Sequence, residues 1–189
     1  MTNEAEEPPR RSGPPVLVLI TGPPGTGKST LAEVAAAWLP AAVFGHDWAM
    51  GALTPFNEIQ DALQALDHPT YRHVGWSLLW QFARAQLRAG RSAILDGVAR
   101  EDDIAETRAL AAEYGAKCVV VLTSCEDVTL HRSRVEGRQR AIPGWYELDW
   151  DHVASFRQRW VAPSDIDLHL EASVELEHNV EHLLIALGR

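Results

Sequence analysis

The run VLVLIT at residues 16–21 is apolar at every position but the last, the pattern of a strand buried on both faces. The apolar pattern then stops for nine residues, GPPGTGKST at 22–30, and resumes with a different period. Leu31, Val34, Ala35, Trp38 and Leu39 fall at i, i+3, i+4, i+7 and i+8, one face of a helix that stops at Pro40. AAVFG at 41–45 predicts a short second strand. Thr54 before Pro55 predicts a capped helix start, and Asp67-His68-Pro69 its end. A longer helix is expected over 71–89, closed by Gly90. SAILD (92–96) reads as a strand, 101–114 as a helix closed by Gly115, and KCVVVLT (117–123) as a strand. Ser124 with Asp127 caps a helix to about Arg138, DLHLE (167–171) is the last strand, and 175–187 is a closing amphipathic helix. Strands that alternate with helices predict an α/β fold, a parallel sheet covered on both faces.

The gap in the apolar pattern has a chemical reason. Gly22-Pro23-Pro24-Gly25-Thr26-Gly27-Lys28-Ser29 meets every fixed position of G-x-x-x-x-G-K-[ST], between a strand and a helix. Glycines let consecutive backbone N–H groups point inward around phosphate oxygens, and the helix that follows adds its positive end. The cradle therefore runs from Gly22 through Pro24, Gly25, Thr26 and Gly27 to Lys28, Ser29 and Thr30. Lys28 places a charge on the β/γ-phosphates, and the Ser29 hydroxyl is a Mg²⁺ ligand.

Two aspartates end apolar strands. Asp96 closes SAILD, where it supports Mg²⁺ beside the phosphates or else caps the next helix. Asp47 follows the second strand in VFGHD, at the carboxyl edge where ligands of open α/β sheets collect, and could accept a proton from an attacking hydroxyl. His46 is a rival base or a structural histidine. Four arginines, Arg132, Arg134, Arg138 and Arg140, crowd LHRSRVEGRQRA (130–141). They read either as a solvated basic face or as a lid whose guanidinium groups close over the transferring phosphoryl group.

Composition narrows the partners. Apolar residues make up 46% and charged residues 23%, as in a globular domain, and the formal charge is −9. That charge argues against broad nucleic-acid binding, which needs a basic surface. No apolar run, VLVLI included, approaches the length of a membrane span. The lead-in MTNEAEEPPRRSGPP (1–15) is acidic and Pro-rich with no apolar core, so a disordered tail and a cytoplasmic location are expected rather than a targeting peptide. Cys118 and Cys125 are expected as buried reduced thiols. Trp76 and Trp80, four apart on one helical face, are expected in the core, whereas Trp48 and Trp145 suit stacking on a flat or apolar acceptor. Asp103, Glu106 and Glu113 read as a solvated face.

From about residue 16 the chain resembles the small P-loop kinases that include chloramphenicol phosphotransferase, zeta-toxin-like sugar-nucleotide kinases and the kinase domain of polynucleotide kinase. The residues that carry the resemblance are GPPGTGKST, the aspartate of FGHD, the AILDG strand, the arginines of HRSRVEGRQR, and the closing DLHLEASVELEHNVEHLL. It implies a three-layer sandwich with a five-stranded parallel sheet in the order 2-3-1-4-5, and one kinase domain over 16–189 with a lid at about 131–146. It further implies ATP and Mg²⁺ as cofactors, and a small-molecule hydroxyl as acceptor. By the same resemblance Asp47 is the base, Lys28 and Arg138 serve catalysis, and Arg132 and Arg138 contact ATP. Asp47, Trp48, Arg100 and Trp145 then face the acceptor, and Ser29 and Asp96 the metal. Two other readings stand beside it, a nucleic-acid 5′-hydroxyl kinase and a nucleotide-binding switch or ATPase without an acceptor.

Overall fold

The computed structural model describes residues 13–189, so most of the tail expected over 1–15 lies outside the described residues. In chain order the elements are β1 (Val16–Thr21), α1 (Lys28–Trp38), β2 (Ala42–Gly45), α2 (His46–Gly51), α3 (Asn57–Gln64) and α4 (His68–Arg88). There follow β3 (Ala93–Asp96), α5 (Glu101–Glu113), β4 (Lys117–Ser124), α6 (Val128–Gly137), α7 (Trp150–Arg159), β5 (Leu168–Glu171) and α8 (Leu176–Ala186). The five strands form one parallel sheet in the order β2-β3-β1-β4-β5, as the resemblance implies.

Alternation along β1 builds two cores. Val16, Val18 and Ile20 face Leu31, Ala32, Ala35 and Leu39 of α1 and its end, with Leu183 of α8 and Leu187 just past it. Leu17 and Leu19 face Trp76, Leu79, Ala83 and Leu87 of α4, with Ile104, Leu110 and Ala111 of α5. Hence every residue of β1 is buried and the molecule has three layers, α1/α8, sheet and α4/α5. Each large side chain so buried contributes about 1.5–3 kcal/mol, and this two-sided packing keeps the central strand and the loop that leaves it in place. Trp76 is wholly buried, and Trp80 packs on it at 6.1 Å between ring centroids while its indole N–H donates to Thr107 at 3.1 Å. Among the described residues no helix is long and apolar enough to cross a membrane. Both cysteines are free, and burial pushes the Cys118 thiol up to about 11.

Several local expectations are corrected. Thr54 caps no helix: its hydroxyl donates to Gly51 O at 2.7 Å, ending α2, and α3 starts only at Asn57. Asp67 opens α4 instead of closing the helix before it, because its carboxylate accepts from Thr70 N at 2.7 Å. Asp127 alone caps α6, accepting from Leu130 N at 2.9 Å, while Ser124 is engaged across the sheet edge with His169 and Glu171. Asp103 is not on a solvated face. It is 3% exposed and pairs with Arg72 at 2.7 Å, tying α4 to α5. Two helices escape the sequence pattern. In α2 the chain turns helical directly out of β2, so Trp48 is helical rather than in a loop. In α7 only Val153 is buried, which leaves little apolar periodicity to read.

Candidate active site

Parallel register gathers the site. Asp96 lies beside Ile20 of β1 on one side and Gly45 of β2 on the other. The loop 22–27 leaves β1 two residues past Ile20, and Asp47 stands two residues past Gly45, in the first turn of α2. Three neighbouring strands thus deliver the phosphate loop and both aspartates to one edge, the edge where open α/β sheets bind ligands.

The loop takes the conformation its glycines permit, with φ of 141°, 85° and 87° at Gly22, Gly25 and Gly27. At Gly22 a Cβ would lie 2.1 Å from the Thr123 carbonyl oxygen, so no other residue lets β1 and β4 run this close into the loop. The Thr26 hydroxyl is buried, donates to Pro23 O at 2.8 Å and lies 2.6 Å from the Thr123 hydroxyl. Lys28 Nζ donates to Gly22 O at 3.0 Å and Pro23 O at 2.9 Å, bent back across the loop. Burial lowers the Lys28 pKa, and the charges of Asp96 and Asp47 work against that shift.

A histidine holds the loop from below. His131 is fully buried in α6, and its Nε2 lies 2.7 Å from Pro24 O. Its Nδ1 pairs with Arg157 Nη1 of α7, which also donates to Cys125 O at 2.6 Å. A guanidinium can only donate, so Nδ1 accepts and Nε2 carries the proton given to Pro24. Burial lowers the His131 pKa, with Arg157 acting in the same direction, which keeps the ring in this neutral form. Trp150 of α7 meets the ring edge-on at 5.5 Å.

Charges of both signs surround the loop. Ser29 Oγ donates to Asp96 Oδ2 at 2.7 Å. Burial raises the Asp96 pKa, opposed by Lys28 and by the Ser29 bond. Asp47 Oδ2 is paired with Arg140 Nη1, and its Oδ1 lies 3.6 Å from His46 Nδ1. Burial alone would raise the Asp47 pKa; the adjacent His46 and the paired Arg140 outweigh it and hold the carboxyl below its ordinary range. Arg140 also reaches Glu147 at 3.2 Å and Tyr146 O at 2.9 Å. Arg138 differs from its neighbours: its Nε and Nη2 are buried and have no hydrogen-bond partner.

Two cavities flank Ser29. The first, about 390 Å³, is lined by residues 25–31, by Arg134, Arg138 and Arg140, and by Ala172, Val174, Leu176 and Asn179. The second, about 550 Å³, runs from Ser29 and Asp96 to an apolar wall built of Val43, Phe44, Trp48, Leu53, Leu78 and Phe82. The residues of the first cavity fit a nucleotide polyphosphate. It has the positive-φ loop and three arginines, of which Arg138 keeps two buried donor nitrogens, Nε and Nη2, with no acceptor. Ser29 and Asp96 present oxygen donors at one point, which fits a hard cation such as Mg²⁺.

The residues expected at the site divide accordingly. Gly25, Thr26, Gly27, Lys28, Thr30 and Arg138 line the first cavity, Trp48 and Asp96 line the second, Ser29 lines both, and Asp47 lines neither. Gly22 and Pro24 shape the loop through their carbonyls. Arg132 is elsewhere, 58% exposed and paired with Glu136 at 2.8 Å one turn along α6. Arg134, facing the other way, lines the cavity and donates to Ala172 O at 2.8 Å. Arg100 is exposed and caps α5 with its backbone N–H on Asp103. Trp145 stacks on Tyr146 at 5.2 Å and lines neither cavity. No motif in the sequence marks His131 or Arg157, because each supports the loop from another element.

The AAA domain family (AAA_33) matches residues 17–163. No curated protein matches the sequence. Among solved structures, a sugar kinase from Janibacter sp. HTCC2649 is 17% identical with a TM-score of 0.64, covering 92% of this chain and 95% of its own. A gluconokinase from Sinorhizobium meliloti 1021 is 14% identical with a TM-score of 0.65, covering 93% of each chain. The Mycobacterium tuberculosis APS kinase CysC, in complex with AMPPNP and APS, is 16% identical with a TM-score of 0.62, covering 93% of this chain and 99% of its own. Since the family match takes in most of the sequence, from β1 past the end of α7, this chain belongs to the AAA_33 family and has the fold of the P-loop kinases.

Proposed function

We propose that this protein is an ATP-dependent phosphotransferase that moves the γ-phosphoryl group of ATP to a hydroxyl of a small molecule. One observation carries the reading: a cationic, loop-built cavity and an apolar cavity of ligand size meet at Ser29. A switch or motor needs the first cavity; a kinase needs both. That the fold neighbours are named as kinases, one solved with AMPPNP, supports the same reading.

In this reading Lys28, Arg138 and Arg134 hold the phosphates, with Lys28 leaving its two loop carbonyls for them. Ser29 and Asp96 would hold Mg²⁺, which would supply positive charge against the phosphates. The acceptor oxygen forms a bond to the γ-phosphorus as the bond to the β-phosphate oxygen breaks, and ADP leaves with the electron pair. Asp47 orients the hydroxyl and takes its proton. Its neighbours hold the Asp47 carboxyl below its ordinary range, so the ionised form that can accept the proton is favoured. Residues 131–146, carrying the arginines, act as the lid that excludes water.

The test is ADP release from Mg·ATP against a panel of nucleosides, aminoglycosides, phenicols, sugars and oligonucleotides. Release that depends on a small hydroxyl compound is expected. Steady release without any acceptor would favour an ATPase, and release requiring a 5′-hydroxyl oligonucleotide a nucleic-acid kinase.

A further inference from the structure

The second cavity has a charge character that limits what can enter it. Among its lining residues there is no lysine, arginine or histidine, and its two ionisable groups are both acidic, Asp96 at the inner end and Glu33 on α1. The wall is otherwise aromatic and aliphatic: Phe44 packs on Phe82 at 5.4 Å, with Trp48, Leu53 and Leu78 completing it. The positive charges of the site lie on the other side of Ser29, where Arg134, Arg138 and Arg140 line the first cavity. Trp48 and Phe82 are 58% and 44% exposed, more ring surface than an unoccupied apolar wall favours and ready to be covered by a ligand. An anion placed here would leave water, find no cation among the lining residues and face two carboxylates; Lys28 and Arg140, the cations that act on Asp96, lie outside the lining. Its volume of about 550 Å³ suits a drug-sized body.

We infer that the acceptor is an uncharged apolar alcohol whose body sits between Trp48, Phe44 and Phe82 and whose hydroxyl points toward the Asp96 end of the cavity. This rests on the kinase reading of the same site and excludes the sugar acids, phosphates and sulfates that an arginine-lined pocket would take.

The matched pair 3-phenylpropan-1-ol and 3-phenylpropanoate differs in charge and hardly in shape. Each is titrated, without nucleotide, against protein carrying the neutral dye N-phenyl-1-naphthylamine, whose fluorescence reports apolar burial. The alcohol is expected to displace the dye at a concentration at least about tenfold lower than the acid, the ratio for a modest unpaired-charge penalty. Phe82→Arg, at a half-exposed position that tolerates a polar side chain, is expected to abolish or reverse that preference. Equal or better displacement by the acid in the wild type, or a wild-type protein that takes up no dye, overturns the inference. Because this readout needs no catalysis, it stands apart from the kinase reading. Conversely, gluconate-dependent ADP release would overturn the apolar-alcohol assignment and leave that reading intact.

Discussion

Asp47 is the residue at which binding and chemistry should separate. It touches no residue of the phosphate loop directly in the hydrogen-bond network; its partners are His46 and Arg140. Asp47→Asn keeps the size and reach of the side chain and removes the charge. Nucleotide affinity measured by calorimetry should stay within a few-fold of wild type, while transfer falls by about 10²–10⁴-fold. A parallel collapse of affinity would make it a metal residue instead. The arginines divide as sharply. Arg138 has two buried nitrogens waiting for an acceptor, whereas Arg132 already has Glu136 in solvent. Arg138→Ala should lower kcat by about a hundredfold or more, and Arg132→Ala should leave it near wild type. Equal effects from the two would contradict the placement of the cavity. The P-loop, Asp47 and Asp96 are legible in the sequence because each follows an apolar strand directly. The roles of Arg134, Arg140 and His131 are not, because helix spacing alone does not say which face of α6 meets the loop or that α7 returns beneath it.

Elements are held to the site by polar ties that the apolar pattern cannot show. Arg72 of α4 reaches both Asp103 and the Val98 carbonyl, the latter at 3.2 Å, bridging α4 to the β3–α5 connection. Arg72→Ala would leave a buried carboxylate without its ion-pair partner, and equilibrium unfolding should show a loss of about 3 kcal/mol. A second tie is Glu171 at the end of β5, which accepts from Ser124 Oγ, Glu126 N at 2.9 Å, and Ser173 N and Oγ at 3.1 and 3.0 Å. Burial alone would raise its pKa, and these donors outweigh it, so the folded value lies below the ordinary 4.5. A depressed carboxyl pKa stabilises the fold above the unfolded value and loses that contribution as pH falls through the folded one. Wild-type stability should therefore drop as pH goes below about 4.5, with Glu171→Gln flattening that part of the curve; an unchanged slope in the variant would remove Glu171 from the account. The two helices missing from the sequence reading, α2 and α7, are short or have one buried residue each turn at most, so tertiary contacts and Asp149 capping His152 N at 2.8 Å decide them.

For the whole molecule, the five-stranded parallel sheet was readable because strand and helix periods alternate along nearly the entire chain, and because right-handed crossovers leave few orders open. What the sheet does for function is to place a cationic cavity and an apolar one on either side of Ser29 in an acidic protein of net charge −9. The lead measurement follows the γ-phosphate of labelled ATP in the presence and absence of a small apolar alcohol. Label should appear in an organic phosphate ester only when the alcohol is present. Lys28→Ala, with its thermal midpoint unchanged, should lose that transfer by at least about a hundredfold. Label released as inorganic phosphate at the same rate with or without the alcohol, or wild-type transfer by folded Lys28→Ala protein, would contradict the account.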